Sequence, residues 1–195
     1  NQTYLLTGNW NPPRGLTNSN FSLTEVSSTG DLLEKKYFES IDKTEHGITV
    51  QQNPIDGNLA IIGSTPGSTN DLSPLMKFMK LDSSNEVLFQ RLLGGSSGVG
   101  HHIKASTLTN DNHILVSSFT NAFTGIFRNY RAQILKVDWE GNIIWRNLYQ
   151  HRGNITYVDT HSNIYTDSQG NIYLPTYVSH TINLDMYLLK IAPNG

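Results

Sequence analysis

Apolar residues along this chain come in short runs, each closed by a cluster of Gly, Asn, Asp, Ser or Pro, and no segment sustains a 3.6-residue period with caps. That is the pattern of strands and turns. The clearest case is Gln133-Ile-Leu-Lys-Val-Asp-Trp-Glu-Gly-Asn-Ile-Ile-Trp145, two apolar runs either side of a polar turn at Asp138 to Gly141, which predicts an antiparallel hairpin. The pattern recurs as Leu23-Thr-Glu-Val-Ser-Ser-Thr-Gly-Asp-Leu-Leu33, as Phe78-Met-Lys-Leu-Asp-Ser-Ser-Asn-Glu-Val-Leu88, and as Leu188-Leu-Lys-Ile-Ala-Pro-Asn-Gly195. With Val26, Leu81, Val137 and Ile191 taken as equivalent, the spacings are 55, 56 and 54 residues. A period of that length marks a repeat architecture.

The rest of each period fills in around the hairpin. In the second unit Gly47 to Gln52 predicts a strand, Asn53-Pro-Ile-Asp-Gly57 a turn, Asn58 to Gly63 a strand, and Ser64 to Pro74 a loop before the hairpin. The third unit repeats the order with strands at Ile103 to Leu108, His113 to Phe119, Arg131 to Val137 and Asn142 to Tyr149. A complete unit is therefore a four-stranded antiparallel sheet of about 55 residues, an inner, second, third and outer strand, which is a β-propeller blade. The fold expected is all-β, a single propeller segment over 1–195 with blade units at about 1–45, 46–100, 101–158 and 159–195. The first unit lacks an inner strand, with Thr3 to Gly8 a strand and Asn9 to Asn20 a loop, and the fourth lacks an outer one. That leaves two complete blades, two partial ones and about fourteen strands. Closed propellers have about four to eight blades, so the chain is expected to be part of a larger ring of roughly six to eight blades; a compact four-bladed ring closed by a neighbour's strands is the alternative.

Repeat positions carry their own expectations. Third strands buried on both faces explain the unbroken pairs Phe78-Met79, Ile134-Leu135 and Leu188-Leu189. Lys80, Lys136 and Lys190 recur at one position, with Glu25 in the first unit, and read as solvated or inter-blade ion-pair positions. Phe89 and Trp145, in outer strands, are expected to pack between neighbouring sheets.

Composition narrows the function classes. The 195 residues carry a formal net charge of -2 with 15% charged residues, leaving no broad field to hold nucleic acid or an anionic membrane. No apolar run is long enough for a transmembrane segment, and the start at Asn1 lacks the basic and apolar regions of a signal peptide, so a soluble chain, mature or trimmed, is expected. With no cysteine, disulfides and thiolate metal sites are ruled out. Abundant Asn, Ser and Thr with sparse charge fit an extracellular β-protein.

The segments Asp56-Gly-Asn-Leu-Ala-Ile-Ile-Gly-Ser64, Lys80-Leu-Asp82 and Ile134-Leu-Lys-Val-Asp-Trp-Glu-Gly-Asn-Ile-Ile-Trp145 resemble the blades of secreted or lipid-anchored propellers common in Bacteroidota. In that family a blade reads approximately as an Asp-Gly-Gly turn, an apolar strand ending in Gly, a loop, then Leu-x-Lys-Leu-Asp-x-x-Gly-x-x-x-Trp. The resemblance spans nearly the whole chain and implies blade architecture and an extracellular or outer-membrane surface location. Such propellers serve as adhesin parts and subunits of surface assemblies. This chain departs at Asn85, which replaces the turn Gly, and at Ala192-Pro193, which replaces the Asp.

Several groups are candidates for chemistry. His46, His101 and His161, with His102 beside the second, precede successive inner strands at spacings of 55 and 60, where imidazoles could orient a ligand; unequal spacing and a place in blade-connecting loops argue against one metal, and neither metal nor cofactor is expected. Asp56, Asp111 and Asp167, and Asp82 and Asp138, recur at turns, where a carboxylate caps its own backbone, so no catalytic residue is assigned. The Gly94 to Gly100 run lacks the Lys and the helix of a phosphate loop. Trp10, Phe123, Phe127, Tyr130 and Tyr177 fall in or beside the long loops, where planar rings could stack on sugars or anchor a protein, and 122–130 is the best single patch. The function expected is a non-catalytic module that binds or scaffolds a protein or glycan partner at a bacterial surface. The alternative is a glycan-active lyase or hydrolase with a site at the channel mouth.

Overall fold

The computed structural model describes residues 3–10, 20–38, 45–66, 74–93, 101–120, 131–149, 157–160, 163–179 and 184–195; for Trp10, 157–160, 177–179 and Leu184 it describes the backbone alone. These residues hold fifteen strands and no helix. The first sheet orders β1 (Thr3–Trp10), β2 (Asn20–Ser27) and β3 (Leu32–Phe38) side by side. The second orders β4 (His46–Gln52), β5 (Leu59–Pro66), β6 (Pro74–Leu81) and β7 (Val87–Leu92). The third repeats this with β8 (His101–Leu108), β9 (Ile114–Thr120), β10 (Arg131–Val137) and β11 (Ile143–Tyr149). The fourth centres on β14 (Ile172–Ser179), with β15 (Leu184–Ile191) on one edge and both β12 (Tyr157–Thr160) and β13 (Tyr165–Thr166) pairing with it. Every pairing is antiparallel.

Fifteen strands replace the expected fourteen because the fourth inner strand is interrupted: Tyr157–Thr160 lie opposite 176–179 and Tyr165–Thr166 opposite 172–173. Strand ends also differ from expectation. Asn9 and Trp10 continue β1 and pair with Phe21 and Asn20, so the predicted loop is shorter than 9–20.

The repeated hairpin turn is the same object four times. Gly30, Asn85, Gly141 and Gly195 donate their amides at 3.0 Å to the carbonyls of Ser27, Asp82, Asp138 and Ala192. All four have positive φ, 91°, 63°, 70° and 89°, and Asn85 enters that region because its short polar side chain tolerates it. The two departures from the repeat thus leave the turn intact. In the first three sheets a bulge follows at one repeat position, after Glu25, Lys80 and Lys136.

Side-chain alternation sends the core to both faces of the middle sheets. Leu59, Ile61, Met79 and Leu81 of the second sheet pack with Phe21, Leu23 and Phe38 of the first. Ala60, Ile62, Met76 and Phe78, the residues between, pack with Ile103, Val116, Leu135 and Val137 of the third. Leu115 and Ile134 of the third then meet Ile164, Ile172, Leu174 and Ile191 of the fourth. Burying each such side chain is worth about 1.5–3 kcal/mol. Phe89 and Trp145 join the second and third of these junctions, as their position in the repeat predicts. Leu188 corrects the expectation of burial: it is 64% exposed, because among the described residues no sheet covers that face of β15. On the first sheet, Tyr4, Leu6 and Leu33 are likewise exposed.

Polar contacts repeat with the sheets. The outer strand of each reaches the hairpin turn of the next: Lys36 Nζ to Glu86 at 2.5 Å, Arg91 to Asn142, and Trp145 against Gly195. At the inner end Asn112 Nδ2 donates to Asn53 Oδ1 (3.1 Å), and Asn110 Nδ2 to the Ser168 carbonyl (3.0 Å).

Candidate functional site

The turn carboxylates are occupied by their own backbone. Asp138 Oδ1 accepts the amides of Glu140 (2.9 Å) and Asn142 (2.7 Å), and its other oxygen accepts the Asn142 amide side chain. Asp167 repeats the pattern with Gln169 and Asn171, and Asp82 with Ser84 and Glu86. Asp56 accepts from both nitrogens of Asn58. At the inner turn of the third sheet Thr109 takes the capping role, accepting from the His113 amide, while Asp111 accepts Lys136 Nζ at 2.7 Å and the Thr109 hydroxyl at 2.6 Å. Lys136 and Thr109 hold the Asp111 carboxyl well below the usual carboxylate range. Burial opposes ionisation of Asp138, but its hydrogen bonds from Asn142 and Glu140 outweigh that, and those from Asn171 depress Asp167. All three move away from the raised pKa that a general acid of glycoside hydrolysis needs.

The recurring lysine divides by environment. Lys80 reaches across to Glu140 of the third sheet (2.7 Å), Lys136 stays within its sheet on Asp111, and Lys190 lies 5.5 Å from the Tyr173 ring centroid. Both predicted uses of that position occur.

The histidines are placed differently from expectation. His46 and His101 are the first residues of β4 and β8, not loop residues ahead of them. His101 is buried, with Nδ1 3.1 Å from Gln133 Oε1, which also accepts from the Ser118 hydroxyl. Burial pushes the His101 imidazole below its usual pKa, partly opposed by the Gln133 contact. His102 stacks on Phe119, ring centroids 4.5 Å apart. Among the described residues no three His, Asp or Glu side chains are grouped as metal ligands. Trp10 ends β1 and Tyr177 lies inside β14, but their side chains, like the whole of Phe123, Phe127, Tyr130 and His161, lie outside the described residues.

Sequence reasoning missed a recess at the turn end of the first junction. A cleft of about 350 Å³ opens between the first and second sheets. Leu59 is buried, and Leu5 and Val50 pack against the same core cluster; together they give the cleft an apolar side. Glu25, Gln52, Ser83 and Asn85 supply its polar atoms, with Thr3 and the half-exposed Tyr4 completing it from β1.

The next junction explains why this one is open. One period on from Ser83 stands Trp139, buried in the cluster between the second and third sheets, its indole N–H donating to the Asn112 carbonyl at 2.8 Å. One period on from Glu25 stands Lys80, tied to Glu140. A large ring and an ion pair thus close the second junction, and a hydroxymethyl and a carboxylate leave the first hollow. The signal was present in the repeat: Glu25 stands where the other units have Lys, and Trp139 stands alone at a position that is Ser28, Ser83 and Pro193 elsewhere. The cleft itself required knowing which turns face which sheets.

No known protein-family model matches this chain, and no curated protein matches its sequence.

Proposed function

We propose that this chain is a segment of a β-propeller serving as a non-catalytic binding or scaffold module, for a protein or glycan partner, at the extracellular or outer-membrane surface of a bacterium. Four features support the propeller reading: sheets of one pattern, a spacing of 54 to 56 residues, one set of inter-sheet contacts used at successive junctions, and burial on both faces in the middle sheets. The exposed faces of the first and fourth sheets fit a partial set, with further sheets covering them in the ring. The surface location rests on the resemblance of the repeat and on the polar, charge-poor composition.

The observation that carries the binding reading over the enzymatic one is the state of the carboxylates. Those at the turns are committed to backbone amides and lysines, and these partners hold Asp111, Asp138 and Asp167 below the ordinary carboxylate range. A glycan-active enzyme needs convergent ionisable groups with pKa values pushed apart. The test places the immobilised chain on arrays of glycans and of surface-protein extracts, and assays the same glycans for chain cleavage. Retention without cleavage is expected, and release of reducing ends by the purified chain would overturn the reading.

A further inference from the structure

We propose that the cleft between the first and second sheets is a binding site for a neutral saccharide of one or two residues, held by Glu25, Gln52 and Asn85. This rests on the reading of the chain as a binding module and gives that module a site and a ligand class.

Size sets the first limit. Small-molecule sites span about 300–1,000 Å³, so a cleft of about 350 Å³ suits a small ligand and not a folded partner. Charge sets the second. Among the described residues lining the cleft Glu25 alone is charged, and an anionic ligand would meet a like charge there. The donor and acceptor inventory sets the third. A carboxylate accepts from two adjacent hydroxyl groups; the Asn85 amide already donates to Glu34 (3.1 Å) and the Gln52 amide to the Gly57 carbonyl (3.4 Å), so each offers its oxygen and one remaining N–H, which matches the alternating character of sugar hydroxyls. Leu5 and Val50, both partly exposed, offer an apolar surface for the C–H face of a pyranose ring. A divalent cation is disfavoured because Ca²⁺ draws on about six to eight oxygens, and this cleft brings one carboxylate.

The chain's own repeat provides the control. The second junction, with Trp139 and the Lys80–Glu140 pair at the corresponding positions, is closed by protein side chains. Copying that solution into the first junction should abolish binding while leaving the sheets in place.

The experiment titrates isotopically labelled chain with neutral disaccharides (cellobiose, maltose, lactose and N,N′-diacetylchitobiose), with sialyllactose as the anionic counterpart and a lysine-containing tripeptide as a cationic one. Amide shifts are followed at Glu25, Gln52 and Asn85. At least one neutral disaccharide should shift these three together, and sialyllactose should not. Glu25→Gln, nearly isosteric, should weaken binding about tenfold, as one charge-assisted hydrogen bond becomes neutral. Ser83→Trp should abolish it, with an unchanged spectrum elsewhere showing that the fold is kept. Shifts with the peptide and none with the sugars would overturn the ligand class. Saccharide binding that survives Ser83→Trp would overturn the site and leave the binding-module reading standing. Silence from every ligand here, alongside retention of partners on the arrays, would overturn the cleft alone.

Discussion

Lys77 and Glu45 form an ion pair enclosed between the first and second sheets, and its removal offers a sharp test of the packing. The Lys77 ammonium lies 2.6 and 2.7 Å from the two Glu45 oxygens, with side chains only 11% and 3% exposed. It also lies 5.4 Å from the ring centroid of Phe21, a residue of the core between these sheets. Lys77→Met keeps the stem and deletes the charge, so the Glu45 carboxylate stays buried without its ammonium. Breaking a buried pair in this way costs about 3–5 kcal/mol. For a domain of this size each kcal/mol moves Tm by about 2–4 °C, so a fall of roughly 6–20 °C is expected. The paired variant Lys77→Met/Glu45→Leu removes both charges, and should return to within about 1 kcal/mol of the parent or exceed it, since two charges no longer have to leave water. Thermal and urea unfolding of the parent, both single variants and the double variant close the cycle. A Lys77→Met stability within about 0.5 kcal/mol of the parent, or a double variant as unstable as the sum of the singles, would refute the enclosure of this pair.

Three other substitutions probe the same packing. Gly63→Ala should cost about 1–3 kcal/mol or more in urea unfolding, because a methyl there collides with the His46 carbonyl and comes within 2.6 Å of the Phe21 ring; an unchanged midpoint would show that the strands around it give way. Trp139→Ser should cost about 3–5 kcal/mol and open at the second junction a recess like that of the first, visible as new solvent exchange at the Asn112 carbonyl's neighbours; a silent substitution would mean the indole is not what closes that junction. Asp111→Asn should lower stability near neutral pH. The carboxyl is depressed in the folded chain, so its contribution is complete above the unfolded value of about 3.9 and fades as pH falls through the lower folded value. Parent and variant should therefore converge in acid, and a gap that widens on acidification contradicts the assignment.

Much of the sheet arrangement is legible in the chain because the repeat compares each position with its counterparts. Arg131 to Val137 forms the predicted strand end to end, and Phe89 and Trp145 fill junctions as their repeat position implies. Positions whose surroundings depend on the next sheet were not legible. Leu188 carries the same apolar signal as Phe78 yet faces outward, since burial depends on what stacks over it and not on the residue. His101 reads as a loop histidine from spacing alone, but strand pairing with Thr120 carries it into the interior beside Gln133. The cleft was invisible for a related reason. An empty volume is a property of two sheets at once, and only the lone Trp139, at a position that is Ser or Pro in the other units, hinted at it.

The uncovered side of the fourth sheet has a practical corollary. β15 presents Met186 and Leu188 to water, and among the described residues its far edge has no strand beside it. Edges of this kind recruit other chains, and natural proteins guard them with charges or prolines; here Asp185 and Lys190 lie on the strand and Pro193 just past it. Two charges on an eight-residue strand and one proline beyond its end are a light guard. Dimers or fibrils formed by the purified chain at high concentration would then report this open edge.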